Sequence, residues 1–219
     1  MQKTIVIDSS NHRTELCNIA EKYKADKGPY SEGSVNMGHR KGYTAVYEML
    51  FGTMRNKSIN FCELGLQTGD SIQLFKEYFT DMEYYGIDNN DNSIATCTNL
   101  NIPRTHYYKV NVSNKDSLEQ TFNSMNTTFD VILDDSSHVP SDQINIIQVA
   151  NKYLKSGGVL IIEDLERNWE ENIYDEIKGF IDESFSFYSY IICHHSNRLC
   201  WDNDKIWSKF CKIWFAIKK

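Results

Sequence analysis

From residue 59 onward, short apolar runs alternate with amphipathic stretches, and this alternation constrains the fold more than any other feature. It predicts parallel strands joined by right-handed crossovers, with helices on both faces of one sheet. Two further runs near the end of the chain predict a closing pair of strands with an antiparallel edge. The sequence thus indicates a doubly wound α/β fold with a mostly parallel, seven-stranded sheet. The predicted strands are Ile59–Leu64, Tyr84–Asp88, Tyr107–Asn111, Val131–Asp134, Val159–Glu163, Phe187–Cys193 and Ile213–Lys218.

The first 57 residues lack this alternation and indicate helices and loops. Tyr43, Val46, Tyr47 and Leu50 recur at helical spacing, and Gly52 follows them as a helix end. The preceding segment 24–41 is rich in Gly, Lys and Ser and predicts a loop, either a plain surface connection or a lid. We therefore expect an N-terminal helical and lid extension over residues 1–57 and the main domain over residues 58–219.

The charge balance narrows the classes of partner. With 219 residues and a formal net charge of −7, the chain lacks the basic surface that nucleic-acid binding requires. No window has the apolar length of a membrane span, and the N-terminal stretch of residues 1–8 is too short for a signal sequence. We expect a cytoplasmic protein without nucleic-acid or membrane partners.

A glycine-containing turn follows the first predicted strand of the main domain. Its sequence, Glu63-Leu64-Gly65-Leu66-Gln67-Thr68-Gly69, allows the backbone to turn tightly and approach a ligand closely. The spacing differs from the Gly-x-Gly-x-x-Gly of dinucleotide-binding proteins. Taken alone, it is equally consistent with an ordinary strand-to-helix turn.

Asp88 ends the next predicted strand, about twenty residues beyond this turn, where a carboxylate accepts hydrogen bonds from ribose hydroxyls. An adenosyl ligand is therefore expected. Glu63 disfavours a pyrophosphate and favours a ligand that carries an amine and a sulfonium. This points to S-adenosylmethionine rather than NAD. Asn111 would reach the adenine edge, unless it merely ends its strand.

Pairs of acids end two other predicted strands. Asp134 and Asp135 follow Val131–Leu133, and Glu163 and Asp164 follow Val159–Ile162. Asp135, Glu163 and Asp164 would repel one another in a crevice unless a cation lay among them, and all-oxygen ligation favours Mg²⁺. The alternative is a helix-capping Asp135 and solvated acids at 163 and 164. We expect Asp134 to support the cofactor.

A histidine lies three residues beyond Asp135. If the turn is tight, His138 faces the same space, and a neutral imidazole beside a metal-bound hydroxyl is a suitable general base. A serine nucleophile at Ser136 or Ser137 is disfavoured because the Gly-x-Ser-x-Gly turn is missing.

Several motifs in order resemble the metal-dependent sugar O-methyltransferases of macrolide biosynthesis and the related cephalosporin-hydroxylase-like group. The matching segments are Ala25–Gly28, Gly42–Glu48, Glu63–Gly69, Tyr85–Asp88, Asp134–His138, Lys155–Gly158 with Glu163–Leu165, and Asp202–Asp204. Two departures are Ser136, where the family usually has Gly, and Gln67-Thr68, which replace a Gly-rich pair.

The resemblance implies a class I methyltransferase fold that uses S-adenosylmethionine and Mg²⁺. It implies metal ligands at Asp135, Glu163 and Asp164, with a base at His138. The cofactor positions that match are Glu63, Gly65, Asp88 and Asn111, and Gly69 closes the same turn.

The expected reaction is methylation of a hydroxyl on a sugar or glycoside, with a homo-oligomer as a possible assembly. A catechol-type O-methyltransferase, an NAD-linked oxidoreductase, a hydroxylase and a catalytically silent binding module remain alternatives.

Overall fold

The computed structural model describes residues 4–30, 41–166, 172–196 and 210–219. Its described part contains one eight-stranded sheet in the order β1-β7-β8-β6-β5-β2-β3-β4. The strands are β1 (Ile5–Asp8), β2 (Ser58–Leu64), β3 (Asp81–Asp88), β4 (Thr105–Lys109), β5 (Phe129–Asp134), β6 (Leu154–Glu166), β7 (Phe185–His194) and β8 (Phe210–Lys218). The helices are α1 (Glu15–Tyr23), α2 (Tyr43–Phe51), α3 (Asp70–Tyr78), α4 (Asp91–Asn99), α5 (Lys115–Met125), α6 (Pro140–Tyr153) and α7 (Lys178–Ser184), which a short 3₁₀ turn precedes.

The sheet confirms the predicted doubly wound α/β architecture. β8 runs antiparallel to both β6 and β7, and every other described pairing is parallel. β2 pairs with β3 on one side and with β5 on the other, so the strand order reverses at this point. In open α/β sheets, ligands bind at the carboxyl ends of the strands beside such a switch point.

The predicted number of strands was too low by one, because β1 comes from the segment expected to form only helices and loops. This strand has four residues and lies at the sheet edge beside β7, where Val6 is 60% exposed. A four-residue strand carries little periodic signal, so only its pairing with a distant strand identifies it.

Alternate residues of the strands enter two separate cores, one on each face of the sheet. Phe61 of β2 packs into a core built with α1, α2 and α3, whereas Cys62 of the same strand packs into a core with α5 and α6. Successive strand residues point to opposite faces, which produces this division. The first core includes Leu16 and Tyr47, so the N-terminal segment and the sheet share one hydrophobic core.

In the part of the chain that the structure describes, none of the helices has both the length and the apolar character needed to cross a bilayer. The chain's predicted location in the cell remains an expectation.

Candidate active site

The turns after β2 and β5 lie in direct contact at the switch point. Gly65 has φ +89°, and its N–H donates to the carbonyl of Ile87 at 2.8 Å. A Cβ atom at position 65 would lie 2.1 Å from the carbonyl oxygen of Asp135, so a side chain does not fit there. Gly69 also has positive φ, at +81°, immediately before α3. The glycines predicted from the sequence are therefore required by the backbone itself.

Asp88 is fixed by backbone amides from both neighbouring loops. Its Oδ2 accepts from the N–H of Leu66 and its Oδ1 from the N–H of Asn90, each at 2.8 Å. Each carboxylate oxygen has a second lone pair that can accept from a ribose hydroxyl. The carboxylate is thus held in place before any ligand binds.

A cavity of about 410 Å³ opens between these turns, within the size range of small-ligand sites. Of the predicted cofactor residues, Gly65, Asp88 and Asn111 line it, and Glu63, Gly69 and Asp134 are not among its lining residues. The full lining is Gly65, Ile87, Asp88, Asn89, Val110, Asn111, Val112, Ser113, Ser136, Ser137, Val139 and Asp142.

Glu63 is completely buried below this turn. Its Oε2 accepts from Ser71 at 2.9 Å and from Tyr84 at 2.5 Å. Its Oε1 has no hydrogen-bond partner among the described residues, and the Nζ of Lys27 lies 3.8 Å away. Burial raises the pKa of this carboxyl group, which Lys27 partly counteracts. An unsatisfied buried carboxylate oxygen is well suited to a ligand's ammonium group.

Asp134 and Asp135 point to different partners although they are adjacent in sequence. The Oδ1 of Asp134 accepts from the hydroxyl of Ser136 at 2.5 Å, and burial raises its pKa to about 6. The side chain of Asp135 is 22% exposed, and its Oδ2 accepts from Lys27 at 2.5 Å. Asp134 therefore shapes the turn, whereas Asp135 faces the site.

Asp135, His138 and Asp164 come together as a group whose potential ligand atoms all lie within 4.8 Å of one another. The Nε2 of His138 is 3.7 Å from the Oδ2 of Asp164. Both His138 and Asp164 have φ +57°, a left-handed conformation that non-glycine residues seldom adopt. Such strain is concentrated at functional sites. Two carboxylates and an imidazole are suitable donors for a divalent cation.

Glu163, the third predicted metal ligand, accepts hydrogen bonds from the N-terminal segment. Its Oε1 accepts from Tyr47, and its Oε2 accepts from Lys27 at 2.8 Å. Burial raises the pKa of Glu163, and Lys27 partly counteracts this. It adjoins the group of Asp135, His138 and Asp164 without belonging to it.

Two buried lysines neutralise much of the negative charge, and sequence reasoning assigned no role to either. Lys27 and Lys41 are 2% and 4% exposed. Burial alone would lower the pKa of Lys27, but Asp135 and Glu163 outweigh it and hold this pKa well above its usual value. The converging acids predicted a cation among them. The ammonium groups of Lys27 and Lys41 provide part of that positive charge.

Lys41 and Tyr43 bind Asp164 from the N-terminal segment. Lys41 donates to Oδ2, and the hydroxyl of Tyr43 donates to Oδ1 at 2.7 Å. Burial would raise the pKa of Asp164, but the Lys41 charge outweighs it and holds this pKa below its usual value. One sequence feature could have identified these partners: Lys27, Tyr43 and Tyr47 lie within the motifs that resemble the methyltransferases.

The sheet order defines the class as a doubly wound α/β protein, with a cavity beside Asp88 at the switch point. Residues 55–213 match the family described as a methyltransferase domain, and the chain belongs to this family.

Among curated proteins, two sugar O-methyltransferases are similar to this chain. L-olivosyl-oleandolide 3-O-methyltransferase of Streptomyces antibioticus is 25% identical over 165 residues, which are 71% of this chain and 38% of the relative. The 8-demethyl-8-(2-methoxy-alpha-L-rhamnosyl)-tetracenomycin-C 3'-O-methyltransferase of Streptomyces olivaceus is 25% identical over 130 residues, or 56% of this chain and 32% of the relative. The chain thus spans about a third of the length of these relatives.

Among solved structures, the MycE methyltransferase of mycinamycin biosynthesis, in complex with Mg and SAH, has a similar fold. Its TM-score is 0.66 at 17% identity, covering 94% of this chain and 55% of MycE. These comparisons confirm the predicted class I methyltransferase fold and the resemblance to sugar O-methyltransferases.

Proposed function

We propose that the protein is an S-adenosylmethionine-dependent O-methyltransferase acting on a hydroxyl group of a sugar or glycoside, with a divalent cation. One observation carries the proposal: the cavity beside Asp88 adjoins the group of Asp135, His138 and Asp164. The curated relatives that methylate sugar hydroxyls support the acceptor class.

The cavity and its surroundings fit the parts of the cofactor. Asp88 would accept hydrogen bonds from the ribose hydroxyls, and the free Oε1 of Glu63 would accept from the ammonium group of the methionine portion. The buried carboxyl group of Glu63 beside the turn would disfavour a pyrophosphate, and therefore NAD.

The described donor set fits a divalent cation as well. Asp135 and Asp164 would hold the ion, and Glu163 is the third proposed ligand because each of its oxygens has a second lone pair. When bound, the cation would lower the pKa of an acceptor hydroxyl and fix its position.

The residues of this chain would then carry the transfer. His138 takes the proton of the acceptor hydroxyl, whose oxygen attacks the methyl carbon of the sulfonium in line with the bond to sulfur. The oxygen–carbon bond forms as the carbon–sulfur bond breaks, so S-adenosylhomocysteine leaves as a neutral thioether. The Oδ2 of Asp164 lies 3.7 Å from the Nε2 of His138, so the proposed base adjoins a proposed metal ligand.

Incubation with S-adenosylmethionine, Mg²⁺ and a panel of glycosides tests the proposal. We expect a product heavier by one methylene, about 14 mass units, with activity lost in EDTA and restored by Mg²⁺. A gain of about 16 would indicate hydroxylation, and turnover insensitive to EDTA would exclude the metal role. Preference for a catechol over every glycoside would favour the catechol-type alternative, and binding of NAD instead of S-adenosylhomocysteine would favour the oxidoreductase.

A further inference from the structure

A buried carboxylate that lines the cavity has no role in the reaction described above. Asp142 lies in the first turn of α6 and is 7% exposed, yet it lines the cavity. Its Oδ2 accepts from the hydroxyl of Ser113 at 3.0 Å and from that of Ser137 at 2.7 Å. No described residue donates a hydrogen bond to its Oδ1. One oxygen is therefore fixed by the protein, and the other is left for a ligand.

The position of Asp142 identifies which part of a nucleoside it would meet. Ser113 belongs to the loop after β4, and Asp88 marks the ribose position at the end of β3. The cavity lining includes four apolar side chains, which suit a flat base. They are Ile87, Val110, Val112 and Val139. A base stacked there would direct its polar edge toward Ser113 and Asp142.

We propose that Asp142 determines the base specificity of the cofactor site by accepting a hydrogen bond from the 6-amino group of adenine. This inference rests on the proposed use of S-adenosylmethionine. Ser113 and Ser137 act as positioning residues, because their hydroxyls hold the carboxylate in one orientation. A buried acceptor of this kind discriminates strongly against a ligand that lacks the matching donor.

Asn111 was predicted from the sequence to contact the adenine edge. Its side-chain oxygen instead accepts a hydrogen bond within its own loop. Its Oδ1 accepts from the N–H of Ser113 at 3.1 Å, and its side chain is at an exposed position. Such a side-chain bond to the backbone two residues onward is typical of an Asx turn. Asn111 thus shapes the loop that carries Ser113, whereas Asp142 provides the free acceptor.

Replacement of the 6-amino group by a 6-oxo group offers a sharp test, because it exchanges a donor for an acceptor. Calorimetric titration compares S-adenosylhomocysteine with S-inosylhomocysteine. We expect the wild-type protein to bind the adenosyl ligand at least about 100-fold more tightly. Asp142→Asn can donate to a 6-oxo group, so we expect this preference to fall below about 10-fold.

A control variant separates this role from a general effect of helix-end charge. Asp116→Asn changes an exposed acid in the first turn of α5, and it should leave the preference unchanged. The proposal is overturned if Asp142→Asn keeps the wild-type ratio or if Asp116→Asn abolishes the preference.

Ser137→Ala provides a second route if Asp142→Asn does not fold. Loss of one hydroxyl should weaken adenosyl binding several-fold and reduce the adenosyl preference. An unchanged preference in this variant overturns the positioning role. Failure of the wild-type protein to bind S-adenosylhomocysteine at all would instead contradict the proposed function.

Discussion

His138 illustrates how one residue can be suited to two roles. Its imidazole belongs to the group that could ligate a cation, and it is also partly accessible to a substrate, with 24% of the side chain exposed. The ring of Phe210 lies 6.1 Å from it, centroid to centroid. Turnover alone does not distinguish a base from a ligand, because loss of either role stops the reaction.

We expect His138→Ala to lower turnover by a factor of about 10² to 10⁴, as for loss of a general base. Binding of S-adenosylhomocysteine and of Mn²⁺, measured by calorimetry and electron paramagnetic resonance, should remain close to wild type. His106→Ala is the matched control, because His106 pairs with Glu83 at an exposed position on β4. Lost Mn²⁺ binding in His138→Ala would identify a ligand instead of a base.

Lys27 takes no part in the proposed reaction, but its charge balances the acids of the site. Its ammonium contacts carboxylates at the ends of β2, β5 and β6. Removal of one partner from a buried ion pair leaves uncompensated charge in a region of low dielectric constant. The buried ammonium group of Lys27 offsets the mutual repulsion of these acids.

We expect Lys27→Met to lower the free energy of unfolding by about 3–5 kcal/mol, because buried Glu163 loses its charged partner. Urea denaturation measures this change. Lys22→Met is the matched control, since its ion pair with Glu77 is exposed, and its unfolding midpoint should not move. Equal midpoints for Lys27→Met and wild type would show that Lys27 does not stabilise the acids.

At the scale of elements, the two turns at the switch point depend on each other. The turn between β2 and α3 approaches the turn between β5 and α6 so closely that only glycine fits at position 65. The amide of Asp135 donates to the carbonyl of Leu64 at 2.8 Å and ties the turns together. The cavity beside Asp88 and the group of Asp135, His138 and Asp164 therefore depend on one backbone contact.

Alanine variants of two glycines with similar φ, Gly65 and Gly157, distinguish the effect of this contact from that of backbone strain. Gly157 has φ +77°, and a Cβ atom there would meet nothing within 4 Å. We expect Gly157→Ala to cost about 1 kcal/mol of stability and to keep S-adenosylhomocysteine binding. Gly65→Ala should lose that binding, measured by calorimetry, and be destabilised further, because its methyl group clashes with the backbone of Asp135. Similar binding by both variants would contradict the predicted clash.

At the scale of the whole molecule, the N-terminal segment contributes to the sheet, to one hydrophobic core and to the charge balance of the site. β1 pairs with β7, Leu16 and Tyr47 are completely buried, and Lys27 lies among the acids. The division at residue 57 was predicted from a change in sequence pattern. The described structure packs residues from both sides of it together.

We expect residues 58–219 alone to be unable to fold cooperatively, because one core loses its α1 and α2 layer and buried acids lose both lysines. Circular dichroism during thermal unfolding would show no sharp transition. A chain shortened only to residues 4–219 serves as the control and should unfold like the full chain. Cooperative unfolding together with S-adenosylhomocysteine binding by residues 58–219 would show that the segment is dispensable.

The sequence by itself determined the alternation of strands and helices, the carboxyl ends of β2, β3 and β5, and the positions of the acids and glycines beside those ends. These properties follow from local periodicity and from where parallel strands terminate, so they can be read within short windows. The three-residue spacing of Asp135 and His138 likewise predicted that both lie in one crevice. The third predicted strand was displaced, because β4 ends at Lys109 and leaves Asn111 in the following loop.

Only the tertiary structure decided which partners those residues have. Lys27 meets Glu163 across 136 positions of the chain, and Asp142 receives Ser113 from another loop. Edge strand β1 likewise depends on its pairing with β7. Such contacts have no sequence period, because they depend on how separate elements pack and on where buried charge must be neutralised.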